Sequence, residues 1–196
     1  MGNLFSVGKI LSKIGCDYRV TSDPEEIANA NRIIMPGVGA FDHAIELLDQ
    51  SGMRPTLETL VLQDKVPVLG ICVGMQILAS ASDEGGLPGL GWVPGKVRAF
   101  RANAQSASLP LPHMGWNDVQ PKPGSPLFVG LEFDARFYFL HSYFFDAQDR
   151  QDVAATANYG LDFDAVVSRG HIHGVQCHPE KSHHWGEQIL KNFVEL

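Results

Sequence analysis

Apolar residues follow two patterns that alternate along the chain. Short apolar runs at residues 33–35, 66–71 and 174–177 predict buried strands. Apolar residues at helical spacing in segments 4–14, 41–57 and 186–196 predict amphipathic helices. Because strands and helices alternate, the pattern predicts an α/β fold with a mostly parallel central sheet and helices on both faces.

Weaker patterns add detail to this prediction. Residues 18–20 are expected to form a strand, and Asp23 before Pro24 predicts the start of a short helix. Alternating aromatic residues predict a strand at 137–144, and residues 154–160 and 165–167 predict a hairpin. No linker divides the 196 residues, so we expect one domain spanning 1–196.

The apolar run at 66–71 ends at Cys72, which stands between Gly70 and Gly74 and precedes a helical segment. This order is typical of a nucleophile elbow, in which a sharp turn after a buried strand presents the reactive side chain. A Cβ atom two residues from the nucleophile would crowd such a turn, and the helix N-terminus favours a thiolate. The alternative interpretation is a small buried core cysteine.

A second motif, G-V-Q-C-H-P-E-K-S at residues 174–182, supplies the groups that a thiol nucleophile needs. Pro179 ends the preceding strand, so His178 and Glu180 are expected at a strand end. A nucleophilic thiol requires a base, and the base requires an acceptor that orients it. Cys72, His178 and Glu180 therefore form a candidate catalytic triad.

The motifs G-I-C-V-G-M-Q and H-P-E-K-S resemble those of the class I (triad) glutamine amidotransferases. P-G-V-G-A-F at 36–41, P-H-M-G-W-N at 112–117 and Y-F-L-H-S-Y at 138–143 are similar to the glutaminase subunits of imidazole glycerol phosphate synthase. The resemblance covers nearly the whole chain. It implies a flavodoxin-like three-layer fold with an added antiparallel β section.

The resemblance also implies an activity and a partner. The chain would hydrolyse glutamine to glutamate and ammonia and pass the ammonia to a (β/α)₈-barrel cyclase. That partner makes imidazole glycerol phosphate and an aminoimidazole carboxamide ribotide in histidine biosynthesis. The resemblance implies a heterodimer without a metal or other cofactor, and a glutaminase that stays weakly active until the cyclase is bound.

Further site residues follow from the same resemblance. The peptide near Val38 and Gly39 and the amide of Val73 would hold the oxyanion, with a reorientation near Val38 as the switch. Gln76 lies one helical turn after Cys72 and can point back into the pocket. Substrate contacts would come from Gly37, Gln76, His141, Ser142 and Tyr143. The partner would meet Asn3, Trp116, Asn117, Tyr138 and Lys181; for the segment around Trp116, structural burial is the alternative.

Composition agrees with this interpretation. A net charge of −7 without a basic cluster argues against nucleic-acid binding. Three cysteines without ligand spacing predict neither a disulfide framework nor a zinc site, and Cys177 is expected to be a buried core residue although it stands where phenylalanine is usual. No segment resembles a membrane span or a signal peptide, so we expect a cytoplasmic protein without membrane contacts.

Two alternatives and one question about the N-terminus remain at this point. The family has a further strand before the position of Met1, so the natural chain is expected to begin upstream.

A paralogous glutaminase that feeds a nucleotide-sugar amidinating enzyme in surface polysaccharide synthesis would share the triad, and residues 157–160 and 182–184 resemble that variant. The second alternative is a non-enzymatic regulator that keeps the fold, against which the intact triad argues.

Overall fold

The computed structural model describes residues 4–196, so the predicted partner contact Asn3 lies outside the described residues. The α-helices are α1 (Leu4–Lys13), α2 (Pro24–Ile27), α3 (Phe41–Gln50), α4 (Arg54–Glu58), α5 (Val73–Gln76) and α6 (His183–Glu195). A π-helical turn, Thr59–Gln63, directly follows α4.

Ten strands form the sheet of the described residues. The first four are β1 (Ile33–Gly37), β2 (Val68–Cys72), β3 (Ala81–Ser82) and β4 (Gly95–Ala99). The others are β5 (His113–Pro121), β6 (Arg136–His141), β7 (Tyr143–Ala147), β8 (Val153–Asn158), β9 (Asp162–Arg169) and β10 (Ile172–Val175).

The parallel part of the sheet is centred on β2, which lies between β1 and β10 and runs parallel to both. Every residue of β2 is buried, as expected for a strand covered on both faces. The sheet path continues through β9, β7, β4 and β3, and β5 joins β6 to β8. The predicted α/β fold with an antiparallel section is confirmed, and that section is more extensive than predicted.

The structure corrects several predicted boundaries. Residues 18–20 form no strand, and Tyr18 and Val20 are exposed, so this short apolar pattern does not mark a buried strand. The predicted helix 41–57 is two helices, α3 and α4, since Gly52 adopts a positive φ of 71° between them. The strand predicted at 174–177 ends at Val175, and the strand predicted at 137–144 is interrupted at Ser142.

Other predictions are confirmed. Asp23 caps α2 by accepting a hydrogen bond from the backbone N–H of Glu25, with Pro24 at the first helical position. Strands β8 and β9 form the predicted antiparallel hairpin. Helix α6 buries Ile189, Leu190 and Phe193, which makes it the predicted closing amphipathic helix.

The turn between β2 and α5 packs directly against the backbone of β1. A Cβ atom added to Gly74 would lie 1.8 Å from the carbonyl oxygen of Met35, and one added to Gly70 would lie 2.4 Å from the carbonyl oxygen of Gly74. Backbone atoms cannot move aside as a flexible side chain can. Glycine at these two positions is therefore a requirement of backbone packing.

This contact predicts the result of a stability measurement. Gly74→Ala should lower the free energy of unfolding by about 2–3 kcal/mol, because the added methyl group forces β1 and the turn apart. Gly86→Ala is the matched control, since a Cβ there meets nothing within 4 Å, and it should change stability by less than about 0.5 kcal/mol. Urea unfolding measures both; equal midpoints for the two variants would contradict the packing argument.

Candidate active site

Three neighbouring parallel strands bring the predicted catalytic segments to one edge of the sheet. Gly37, at the end of β1, is opposite Cys72, at the end of β2. Val175, at the end of β10, is opposite Ile71. Because parallel strands end at the same edge, the segment that begins at Gly37, the cysteine and the segment leading to His178 converge there.

Cys72 lies on a strained backbone. It has a φ of 56° and a ψ of −114°, and only three non-glycine residues of the described chain have a positive φ. Such a conformation persists only where the surrounding structure holds it, and it is frequent at active sites. The packing of Gly70 and Gly74 supplies that restraint. Cys72 is 5% exposed and directly precedes α5.

His178 and Glu180 form a buried pair. The Nδ1 atom of His178 lies 2.9 Å from Oε1 of Glu180, and their side chains are 6% and 4% exposed. The carboxylate only accepts, so Nδ1 carries the proton and donates. Burial lowers the pKa of His178, but Cys72 and Glu180 outweigh burial and raise that pKa to about 9.

The opposite edge of the His178 ring has no hydrogen-bond partner among the described residues. The Nε2 atom on this edge is buried. The interaction with Cys72 that helps to raise the pKa of His178 places the sulfur near this ring. The arrangement leaves Nε2 available to exchange a proton with the sulfur or with a bound substrate.

The backbone of His178 is held from both sides. Its N–H donates to the carbonyl of Tyr138 at 2.9 Å, and its carbonyl accepts from the Ser182 hydroxyl at 2.6 Å. The same hydroxyl accepts from the backbone N–H of Tyr138 at 3.0 Å. Ser182 thus ties the loop that carries the imidazole to strand β6, a contact that sequence reasoning did not identify.

The predicted oxyanion segment lies against the turn that carries Cys72. A Cβ on Gly37 would lie 2.5 Å from the backbone nitrogen of Gly74, so the two backbones are in close contact. Val38 is 41% exposed and Gly39 has a φ of 100°, which only glycine adopts readily. Val73 is buried at the first position of α5, where N–H groups have no partner within the helix.

Apart from Gly37, the predicted substrate residues lie around the backbone carbonyl of Tyr143. The side-chain nitrogen of Gln76 donates to the carbonyl of Tyr143 at 3.1 Å, and Nδ1 of His141 lies 2.8 Å from the same oxygen. Ser142 lies between His141 and Tyr143 at the break between β6 and β7. The structure therefore brings Gln76 to the same place as the 141–143 segment, as the resemblance implied.

Gln176 is a site residue that sequence reasoning missed. It is fully buried, its Nε2 atom lies 3.9 Å from Sγ of Cys72, and its Oε1 atom accepts from Gln76 at 3.0 Å. It stands two residues before His178 in the same motif. The available signal was its position just beyond a strand that neighbours β2, which becomes informative only when the strand order is known.

The predicted partner contacts point in two directions. Trp116 is 37% exposed, packs edge-on against Tyr138 at 6.2 Å and stacks on His183 at 5.3 Å. The Nζ atom of Lys181 lies 5.3 Å from the ring centre of Tyr138. Asn117 turns instead to the imidazole of His113 and the carbonyl of Asn158. Trp116, Tyr138 and Lys181 thus form one surface cluster, and Asn117 belongs to a different contact.

Cys177 is 2% exposed, as expected for a core cysteine. Burial, together with the nearby Glu180 and Cys72, holds the pKa of its thiol well above the ordinary value. A protonated buried thiol is a poor nucleophile, so Cys177 does not compete with Cys72.

Within residues 4–196 no three His, Cys, Asp or Glu side chains are grouped so that they could hold a metal ion. No helix among these residues has the length and hydrophobicity needed to span a bilayer.

Comparison with known proteins gives one consistent family. The model of the class-I glutamine amidotransferase family matches residues 5–196. The HisH subunit of imidazole glycerol phosphate synthase from Bdellovibrio bacteriovorus is 55% identical over 100% of this chain and 96% of the relative. The HisH subunit from Leptospira borgpetersenii is 44% identical over the same shares.

A solved structure described as a glutamine amidotransferase has a TM-score of 0.77, with 18% identity over 99% of this chain and 93% of that one. At this identity the likeness concerns the fold, and it confirms the predicted flavodoxin-like amidotransferase architecture. The chain therefore belongs to the class-I glutamine amidotransferase family, in the branch of the HisH subunits of imidazole glycerol phosphate synthase.

Proposed function

We propose that this chain is the glutaminase subunit of an imidazole glycerol phosphate synthase and acts as a single amidotransferase domain. It would hydrolyse glutamine with Cys72, His178 and Glu180 and supply ammonia to a cyclase partner in histidine biosynthesis. The observation that carries the proposal is the buried His178–Glu180 pair, at 2.9 Å, beside a cysteine held at a φ of 56°. The alternative of a non-enzymatic regulator does not account for this strained and buried arrangement.

The reaction begins with a proton on His178. A pKa of about 9 keeps the imidazole charged at neutral pH, with Glu180 holding Nδ1–H. The Nε2 proton is the one taken from the Cys72 thiol, and the resulting thiolate attacks the side-chain carbonyl carbon of glutamine to form a tetrahedral intermediate. His178 then donates its Nε2 proton to the amide nitrogen, and ammonia leaves from a thioester. Water, deprotonated by His178, hydrolyses the thioester to glutamate.

The negative oxygen of the intermediate requires donors that are already in place. The N–H of Val73 is one candidate, since it opens α5 directly after the nucleophile. The second is the N–H near Val38 and Gly39, once that peptide turns toward the site. Val38 is exposed and glycines flank it, so a reorientation there meets little steric resistance.

Ammonia must pass to the partner before it escapes to solvent. The exposed aromatic cluster of Trp116, Tyr138 and Lys181 is the proposed contact with the cyclase. Aromatic side chains are enriched in protein interfaces. Tyr138 also accepts the backbone hydrogen bond of His178, so this surface is continuous with the catalytic loop.

The alternative partner, a nucleotide-sugar amidinating enzyme, would use the same triad. The name of the synthase carried by relatives at 55% and 44% identity favours the cyclase. Reconstitution with each candidate partner separates the two, because only the correct one should raise glutaminase activity.

The first prediction concerns the nucleophile. Cys72→Ala in the complex should abolish glutamine-dependent synthesis and leave ammonia-dependent synthesis intact, because added ammonia bypasses the thioester. Cys16→Ala, a replacement of a partly exposed cysteine, is the matched control and should keep both activities. Steady-state rates with either nitrogen source measure the effect. Retained glutamine-dependent turnover in Cys72→Ala would contradict the proposed mechanism.

The second prediction concerns pH. The stability that charged His178 contributes is complete below its ordinary pKa of 6.5 and is lost as pH rises through about 9. The alkaline limb of kcat/KM should therefore lie near pH 9. Glu180→Gln removes a group that raises this pKa, so the limb should move to lower pH and kcat should fall by about tenfold or more. Glu195→Gln, at the exposed C-terminus, is the control; an unmoved limb in Glu180→Gln would argue against the pair.

The third prediction concerns the switch near Val38. Glutaminase turnover of the isolated chain should be low and should rise by at least about tenfold on binding the cyclase, since the second oxyanion donor contributes about that much or more. Glutamate production with and without the partner measures the change. Full turnover by the free chain would exclude the switch while leaving the triad in place.

A further inference from the structure

A row of hydrogen bonds joins the surface at Asn117 to Cys72 through groups that the mechanism above does not use. On one side, Nδ2 of Asn117 lies 3.2 Å from Nε2 of His113. Nδ1 of His113 lies 2.9 Å from Nε2 of His141. Nδ1 of His141 then lies 2.8 Å from the carbonyl oxygen of Tyr143. On the other side, Nε2 of Gln76 donates to the same Tyr143 oxygen at 3.1 Å and to Oε1 of Gln176 at 3.0 Å. Nε2 of Gln176 in turn lies 3.9 Å from Sγ of Cys72.

The carbonyl of Tyr143 sets the direction of the histidine side. A carbonyl oxygen only accepts, so Nδ1 of His141 must carry the proton. Nε2 of a neutral His141 then accepts, and His113 must donate from its own Nδ1. Nε2 of His113 is left as an acceptor, which matches the amide nitrogen of Asn117 that faces it.

The same carbonyl sets the direction of the glutamine side. The atom of Gln76 that faces Tyr143 must be its nitrogen, and that nitrogen also donates to Gln176. The facing atom of Gln176 must therefore be its oxygen, which turns its N–H group toward Sγ of Cys72. Both donors of Gln76 are used, so its side-chain oxygen is the atom left for a ligand.

The surroundings of the two histidines keep them neutral. His113 is stacked between Phe139 at 5.1 Å and Tyr159 at 4.2 Å, and His141 packs against Phe100 and Phe163. Burial lowers the pKa of His113 to about 4 and that of His141 to about 3. At neutral pH each ring therefore carries one proton, and the order of donors and acceptors has one solution.

We propose that His113 is a positioning residue for the glutaminase site: through His141 and the Tyr143 carbonyl it orients Gln76 toward glutamine and Gln176 toward Cys72. The inference rests on the proposed function. It assigns Gln176 as the N–H donor to the sulfur and Gln76 as the acceptor for the ammonium group of the substrate. Asn117 fixes the outer end of the row, beside the carbonyl of Asn158.

Nitrogen-15 NMR of the imidazole rings of the full chain tests the direction of the row without any activity measurement. His113 and His141 should both be neutral at pH 7 with the proton on Nδ1. In His113→Phe the donor to Nε2 of His141 is lost, but the Tyr143 carbonyl still requires the proton on Nδ1. The Nε2 resonance of His141 should therefore shift toward that of an unprotonated nitrogen without a hydrogen bond. In His113→Asn the side-chain amide can still donate, so the Nε2 resonance of His141 should stay close to its position in the unaltered chain.

Glutamine kinetics of the cyclase complex test the positioning role. His113→Phe should lower kcat/KM for glutamine by about tenfold, as expected for loss of a buried hydrogen bond, and leave ammonia-dependent synthesis unchanged. His113→Asn should recover most of the loss. Both variants delete the acceptor for Asn117, so the comparison isolates the donor to His141.

His173→Phe is the matched control, because His173 is an equally buried histidine that bonds to Ser168 outside the row. It should lower stability without a selective effect on glutamine kinetics. A proton on Nε2 of His141 in the unaltered chain, or equal kcat/KM for the Phe and Asn variants, would overturn the proposal. Absence of glutaminase activity in the unaltered complex would instead refute the proposed function, while the NMR result still reports the direction of the row.

Discussion

The backbone contact between the turn after β2 and strand β1 is the constraint on which the site depends. With no side chain at Gly74, the turn lies close enough to Met35 for the two backbones to touch. That contact holds Cys72 in a conformation that a non-glycine residue rarely adopts. It also places Gly37 opposite Cys72, so the same packing positions the proposed oxyanion segment and the proposed nucleophile.

A second constraint is the polarity of buried groups in the pocket. The carbonyl of Tyr143 accepts from two sides and thereby decides which atoms of His141 and Gln76 face it. Since a buried donor or acceptor without a partner is costly, each neighbour in the row must follow the same order. The side-chain amide of Gln176 therefore turns its N–H group toward the sulfur of Cys72.

The charge of His178 and the neutrality of His141 have a common explanation. Both rings are buried, and burial alone lowers the pKa of an imidazole. His178 is next to Glu180 and Cys72, which outweigh burial, whereas His141 meets a neutral histidine and aromatic rings. The different partners of these two histidines leave one imidazole charged and the other neutral, as the proposed roles of His178 in proton transfer and of His141 in positioning require.

The amino-acid sequence by itself determined the family and the order of most strands and helices, and it indicated the proposed triad, because these depend on local patterns and short motifs. It misplaced residues 18–20 and missed Gln176 and Ser182, since neither sheet pairing nor side-chain contacts across distant segments can be read from spacing. Tertiary structure alone decided that β2 lies between β1 and β10 and that Asn117 turns away from Trp116. The physical reason is that strand order and side-chain direction arise from packing of the whole chain.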